Sequence, residues 1–292
     1  PRSTLFPYTT LFRSQVLRVI AIIGGGRMGR GLAVALAEAD ERVELWSRRE
    51  STGGVRDAVG GAAVVIVAVP DDAIALVARQ LAMTDAISAD QVVLHLSGLL
   101  DRGALAALAP TGAAMGSFHP MQSIADPARA KESWRGAAVG LEGDSRAVAQ
   151  GERLAGLLGL VPVHLPPGSK PLYHAGAVIA SNYLVALAGW AQRLGESAGL
   201  SAEAVLALYR PIMSGTAANL LVRTPAEALT GPVVRGDVAT IEAHLQALPA
   251  TDRPLYAMLG LEALRLGRNA GLAEEKAAAV ERVLREVLRT GK

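Results

Sequence analysis

The chain has 292 residues, 51% of them apolar, a formal net charge of +2 and no cysteine. The missing thiols exclude disulfides and thiolate metal sites, and no metal of another kind is expected. Arg2 and Arg13 carry the whole excess charge, so the remainder is neutral and its charge argues for neither a nucleic-acid nor a membrane partner.

The opening stretch Thr4–Ser14, TLFPYTTLFRS, holds two of the three Phe residues of the chain. Pro7, Tyr8, Thr9 and Thr10 stand where a secretory signal needs an apolar core. The letters resemble the translation of a sequencing-adapter oligonucleotide, and residues 1–14 are expected to take no part in the fold. About 278 residues remain, enough for two domains of ordinary size.

Val16–Ile23 predicts a first strand, followed by the helical spacing of GGGRMGRGLAVALAEA. RVELWS, Val64–Val69, Val92–Leu96, Ala113–Phe118, Ala137–Leu141 and Val161–Leu165 predict six more strands. Apolar strands without alternation are buried on both faces, and intervening helices imply a mostly parallel sheet. The Gly-rich link STGGVRDAVGG is too short for a full crossover helix. After the breaker cluster PPGSKP only helical periodicity follows, ending on the apolar face Val280, Val283, Leu284, Val287 and Leu288. The expected fold is α/β: a Rossmann-like, mostly parallel sheet over residues 15–165, then an all-α domain over 166–292. The run Ala175–Ala191 is short of the ~20 residues a membrane span needs and is interrupted by Ser181 and Asn182, so a buried helix is expected.

Gly24, Gly26 and Gly29 match G-x-G-x-x-G directly after a strand and at the start of a helix. In that context the first glycine allows the turn, the second admits a pyrophosphate, and the third lets helix and strand pack. The helix N-terminus then binds the phosphates. After the second strand come Ser47, Arg48 and Arg49, while Glu44 lies nearer mid-strand. Two guanidiniums suit a 2′-phosphate where a carboxylate would repel it, so NADP (as NADPH) is the expected cofactor. The expected cofactor-binding set is Gly24, Gly26, Arg27, Met28, Gly29, Ser47, Arg48, Arg49, Val69, Pro70 and Ser97.

Ligands of open parallel sheets lie outside the carboxyl ends of the strands. Asp71 and Ser97 stand at two such ends, and His119-Pro120-Met121-Gln122-Ser123 at a third. Asp71 reads most simply as a cap for DDAIALVARQLA. His95 and His164 lie within strands and read as structural. The helix that follows, SKPLYHAGAVIASNYLVALAGW, places Pro171 at its first turn and Lys170 at its cap. His174, Ser181 and Asn182 fall in one polar sector of an otherwise apolar helix. With 25 Arg and only four Lys in the chain, Lys170 at a helix start suits a proton donor. Lys170, His174, Asn182 and His119 are the candidate catalytic residues. Further on, Asp237 is the expected cap of VATIEAHLQAL.

The phrases KPLYHAGAVIASNYL and LTGPVVRGDVATIEAHL, with SFHPMQS and VAVPDDAI, resemble proteins that join a Rossmann-like domain to domain of unknown function 2520. Such proteins are similar to the wider group of pyrroline-5-carboxylate, ketopantoate and 6-phosphogluconate or β-hydroxyacid dehydrogenases. The resemblance implies NADP binding and an intertwined helical dimer, and it leaves the substrate open. In β-hydroxyacid dehydrogenases a Lys and an Asn four residues apart share one helix. Here Lys170 and Asn182 are twelve apart with His174 between them. Two functions are weighed: a cytoplasmic NADPH-dependent reductase of a small carbonyl or imine, acting as a homodimer, and a dinucleotide-binding redox sensor without turnover.

Overall fold

The computed structural model describes residues 19–122 and 126–290. The expectations for residues 1–14, and Ser123 of the HPMQS stretch, lie outside them. Contacts divide the chain into two compact units that meet in sequence at Val185 and Ala186.

The first unit alternates strands and helices. In order come β1 (Val19–Ile23), α1 (Arg27–Ala37), β2 (Val43–Trp46), α2 (Val55–Val59), β3 (Ala62–Val67), α3 (Asp71–Ala82) and β4 (Val92–His95). A 3₁₀ stretch, Arg102–Thr111, leads to β5 (Ala114–Pro120), α4 (Ala130–Trp134), β6 (Ala138–Gly143), α5 (Ser145–Leu158) and β7 (Val161–His164). The described residues form a seven-stranded sheet ordered β2-β1-β3-β4-β5-β6-β7. All pairs are parallel except β5 with β6, where Phe118 faces Leu141. The fold class is therefore the mostly parallel sheet followed by helices that the strand pattern predicts. The Gly-rich link between β2 and β3 holds only the five-residue α2.

Side chains of a strand alternate between its two faces. In β1, Ile20 and Ile22 join the core under α1 and α5, while Ala21 and Ile23 join the core under α3. Both faces are covered, which is why these strands are apolar throughout.

Helix α6 (Lys170–Val178) follows, then a π-helical turn over Ile179–Tyr183 and α7 (Leu184–Ser197). The cap of α6 is Ser169, so Lys170 is its first helical residue rather than its cap. The expectation of a buried helix is not met among the described residues. Leu172, Ile179, Tyr183 and Val185 are all more than half exposed. By length and composition the run Lys170–Ser197 is apolar enough to cross a bilayer.

The second unit is helical. It holds most of α7, then α8 (Ala202–Leu220), α9 (Pro225–Ala228), α10 (Pro232–Arg235), α11 (Val238–Ala247), α12 (Arg253–Asn269) and α13 (Glu274–Thr290). Its core joins Ile241, Leu245, Ala257, Leu264, Ala277, Val280, Leu284 and Val287. Val280, Leu284 and Val287 are the predicted apolar face of the last helix; Leu288 stays exposed. Asp237 caps α11 as expected, accepting from the Thr240 amide at 3.1 Å.

Candidate functional site

Two groups of residues in the first unit stand out: a cleft at the glycine loop and a buried polar cluster around Lys170.

The chain leaves β1 through Gly24, whose φ of +127° disfavours any side chain. A Cβ there would also strike the Ala68 carbonyl oxygen, and one on Gly29 would strike that of Gly24. The strand–turn–helix is thus closed tightly at both ends. Gly26, between them, is the cap of α1 and lends it no side-chain hydrogen bond. A Cβ on Gly26 would meet nothing within 4 Å. Open space beside uncapped helix amides is what an anionic pyrophosphate requires. The residues present therefore fit a dinucleotide.

A cleft of about 540 Å³ opens on this loop. Of the predicted cofactor set, Gly24, Gly26, Ser47, Arg48, Arg49, Val69 and Pro70 line it. Arg27, Met28, Gly29 and Ser97 do not. Met28 packs its side chain on the core, Gly29 is spent on helix packing, and Arg27 is exposed. Glu44 also stays outside the lining and faces Arg42 at 3.6 Å. Sequence reasoning missed Glu50 and the wall made by Ala73, Val77 and Gln80. The wall was legible as one face of α3, since these positions are spaced 4 and 3 apart.

At the carboxyl ends of β4 and β5 the polar cluster forms. Lys170 is 1% exposed. Its Nζ donates to the Ser97 carbonyl at 2.6 Å and to Ser117 Oγ at 2.7 Å. Ser97 Oγ donates to Asp71 Oδ2 at 2.7 Å and accepts from the amides of Leu99 and Leu100. Asp71 is therefore not the side-chain cap of α3 that the sequence suggests; its carboxylate is turned to Ser97. Burial pulls the Lys170 ammonium down to about 8, against the opposing charges of Glu142, Asp71 and Asp101. Two of its three N–H bonds are engaged by the chain, leaving one uncommitted among the described residues.

His119 and His174 meet edge to face, with ring centroids 5.7 Å apart. His119 is not beyond its strand but inside it, since β5 pairs with β6 through Pro120. Its Nδ1 lies 3.0 Å from the Tyr173 hydroxyl. Burial, then the charges of Lys170 and His174, lower His119 to about 4, so it is neutral at pH 7. Tyr173 is raised by burial and stays a neutral phenol. Nδ1 of His174 is buried without a hydrogen-bond partner. Gly98 makes this packing possible: a Cβ there would strike His174 Nδ1 and lie 2.7 Å from His119 Cε1.

Of the candidate catalytic residues, Lys170, His119 and His174 thus gather at one place. Asn182 does not join them; it is exposed within the π-helical turn. Tyr173, which sequence reasoning missed, carries a signal in its position three residues after Lys170, on the same helix face. His95 is structural as expected, accepting from the Ser97 amide at 3.2 Å and donating Nε2–H to the Asp101 carbonyl at 3.0 Å. His164 pairs with Glu152 at the exposed sheet edge. Among the described residues no group of acidic, His or Cys side chains is arranged to hold a metal.

This is the fold of a Rossmann-like domain joined to a helical unit, and comparison with known proteins agrees. Residues 49–120 match the Rossmann-like domain, and residues 137–263 match domain of unknown function 2520. The chain carries both. Protein TM1727 from Thermotoga maritima is 26% identical over 92% of this chain and 99% of its own, with a TM-score of 0.60. The imine reductase of Myxococcus stipitatus, solved with NADP+, is 19% identical over 94% of this chain and 95% of its own, at a TM-score of 0.53. The pyrroline carboxylate reductase of Plasmodium falciparum, solved with NADP, is 12% identical over 90% of this chain and 98% of its own, at 0.56. The likeness to these two reductases is one of fold. No protein of curated function matches the sequence.

Proposed function

We propose that this protein is an NADPH-dependent reductase of a small carbonyl or imine compound, with Lys170 as proton donor. The observation that carries the reading is Lys170 itself: an ammonium buried at the strand ends, drawn down to about 8, in the same unit as a glycine-loop cleft. A group of that kind is charged at neutral pH and releases its proton readily. The bound dinucleotide would supply the hydride.

The roles of the side chains follow from their contacts. Gly24 and Gly26 shape the phosphate site; Arg48 and Arg49 hold the 2′-phosphate. Ser97 and Ser117 fix Lys170 Nζ, leaving one N–H for the substrate heteroatom that receives the proton. Neutral His119, held by Tyr173, orients substrate beside His174. The NADP-bound reductases of like fold support the choice of chemistry. The protein works as a homodimer in the cytoplasm, with the exposed apolar side chains of α6 and α7 as its contact.

The test is a titration of protein fluorescence with NADPH and NADH, followed by NADPH oxidation against a panel of small oxo acids and cyclic imines. The expected result is tighter binding of NADPH and turnover of at least one compound. Tight binding with no turnover across the panel would favour the redox-sensor function instead.

A further inference from the structure

The adenosine end of the cleft contains a carboxylate, an unexpected group beside a phosphate site. Glu50 lines the cleft with Ser47, Arg48 and Arg49. Its backbone is set by the turn after β2, where the amides of Glu50 and Ser51 both donate to the Ser47 carbonyl. Both carboxylate oxygens accept from Arg30 Nη2, at 2.5 Å each. The same guanidinium reaches the glycine loop, where Nε donates to the Gly25 carbonyl at 2.8 Å. Arg30 therefore bridges the phosphate loop and the strand tip. Arg48 and Arg49, by contrast, are exposed and make no ion pair among the described residues.

We propose that Glu50 sets dinucleotide selectivity by occupying Arg30, and that a phosphate monoester on the ribose displaces the carboxylate to recruit Arg30 as a third cation. The inference rests on the NADPH reading above and deepens it. The pair is solvent-exposed at both partners, 42% and 58%, so opening it costs little. A guanidinium exchanges one anion for another without losing its paired geometry, and a phosphate presents more oxygens than a carboxylate. Glu50 opposes the phosphate twice: it repels the incoming dianion, and it holds the cation the dianion needs. A ribose bearing only hydroxyls feels neither effect.

The experiment isolates the adenosine end by using 2′,5′-ADP and ADP as probes in calorimetric titrations of the full chain. Glu50→Gln is expected to tighten 2′,5′-ADP by about tenfold and to leave ADP within about twofold. Arg30→Met is expected to weaken 2′,5′-ADP by about tenfold, and ADP by less. A parental ratio of the two affinities in Glu50→Gln would overturn the proposal. So would weaker ADP binding in that variant, which would make Glu50 a partner of the ribose hydroxyls. Arg48→Ala with Arg49→Ala tests the underlying reading separately. If that double variant keeps the parental ratio, the NADP assignment fails. If it loses the preference while Glu50→Gln changes nothing, only the role of Glu50 fails. Circular dichroism of each variant establishes that it is folded before titration.

Discussion

Lys170 Nζ donates to the Ser97 carbonyl oxygen at 2.6 Å, which ties the first residue of α6 to the turn after β4 across 73 residues of sequence. The contact buries a charged group at the point where the strands of a Rossmann-like sheet open. Its chemistry can be tested directly. Lys170→Met is expected to lower turnover on an identified substrate by about 10²–10⁴-fold, with NADPH affinity within about twofold. The Ser97 carbonyl and Ser117 hydroxyl lose a donor, so thermal stability should also fall, by about 1–3 kcal/mol. Parental turnover in a folded variant would move the donor role to His174.

The pH dependence follows from the same residue. Lys170 falls from its ordinary 10.5 to about 8 in the folded protein. Between these values the unfolded chain binds more protons than the folded one, so stability rises with pH from about 8 to 10.5. Activity moves the other way, because the donor loses its proton as pH rises through about 8. Turnover in the direction of reduction should therefore show an alkaline limb near 8, and Lys170→Met should lose both the limb and the stability gain. A flat profile from pH 7 to 9 would exclude Lys170 as the titrating donor.

Asp71 offers a way to separate charge from architecture. Its carboxylate accepts from Ser97 Oγ at 2.7 Å and its charge raises Lys170. Asn keeps an acceptor for Ser97 and removes the charge. Asp71→Asn is expected to shift the alkaline limb to lower pH with little change in melting temperature, whereas Asp71→Ala should lower the melting temperature as well. If Asp71→Asn leaves the limb in place, Asp71 serves structure alone.

Gly98 has no room for a side chain between two imidazoles. Gly98→Ala forces His174 and His119 apart, and overpacking of this kind costs about 1–3 kcal/mol. A displacement near 1 Å at reacting groups lowers rates by about 10²-fold. Calorimetric melting and turnover should both report the change, and histidine NMR resonances should shift for His119 and His174 but not for His164. Unmoved resonances would mean the rings are not held as described.

Much of this was legible in the sequence, for a physical reason. Strands buried on both faces are unbroken apolar runs, so Val64–Val69 and Val92–Leu96 announce themselves and differ from the observed β3 and β4 only at their ends. The glycine loop is legible because each glycine answers a local steric demand. The polar cluster is not. Lys170 and Ser117 are 53 residues apart, and only the packing of α6 over β5 brings them together. His174, Ser181 and Asn182 share a sector only in a regular helix, and the π-helical turn at Ile179–Tyr183 breaks that regularity. Glu50 escaped because its pairing with Arg30 joins two segments 20 residues apart, and neither signals the other.

The exposed apolar side chains of the long helix make the final prediction. Leu172 is 82% exposed and Val185 72%, with Ile179 and Tyr183 between them. Large apolar side chains exposed in such number along one helix point to a contact with another molecule. A second copy of the chain is the occupant we propose, because each Å² of apolar surface buried between two copies contributes about 25 cal/mol. Light scattering at micromolar protein should give twice the chain mass. Leu172→Asp with Val185→Asp should give the single mass, since each charge would be buried unpaired at the contact. The same helix is long and apolar enough to enter a bilayer, so flotation with phosphatidylcholine vesicles provides the contrast. A parent protein that stays monomeric in solution and floats with vesicles would overturn the dimer.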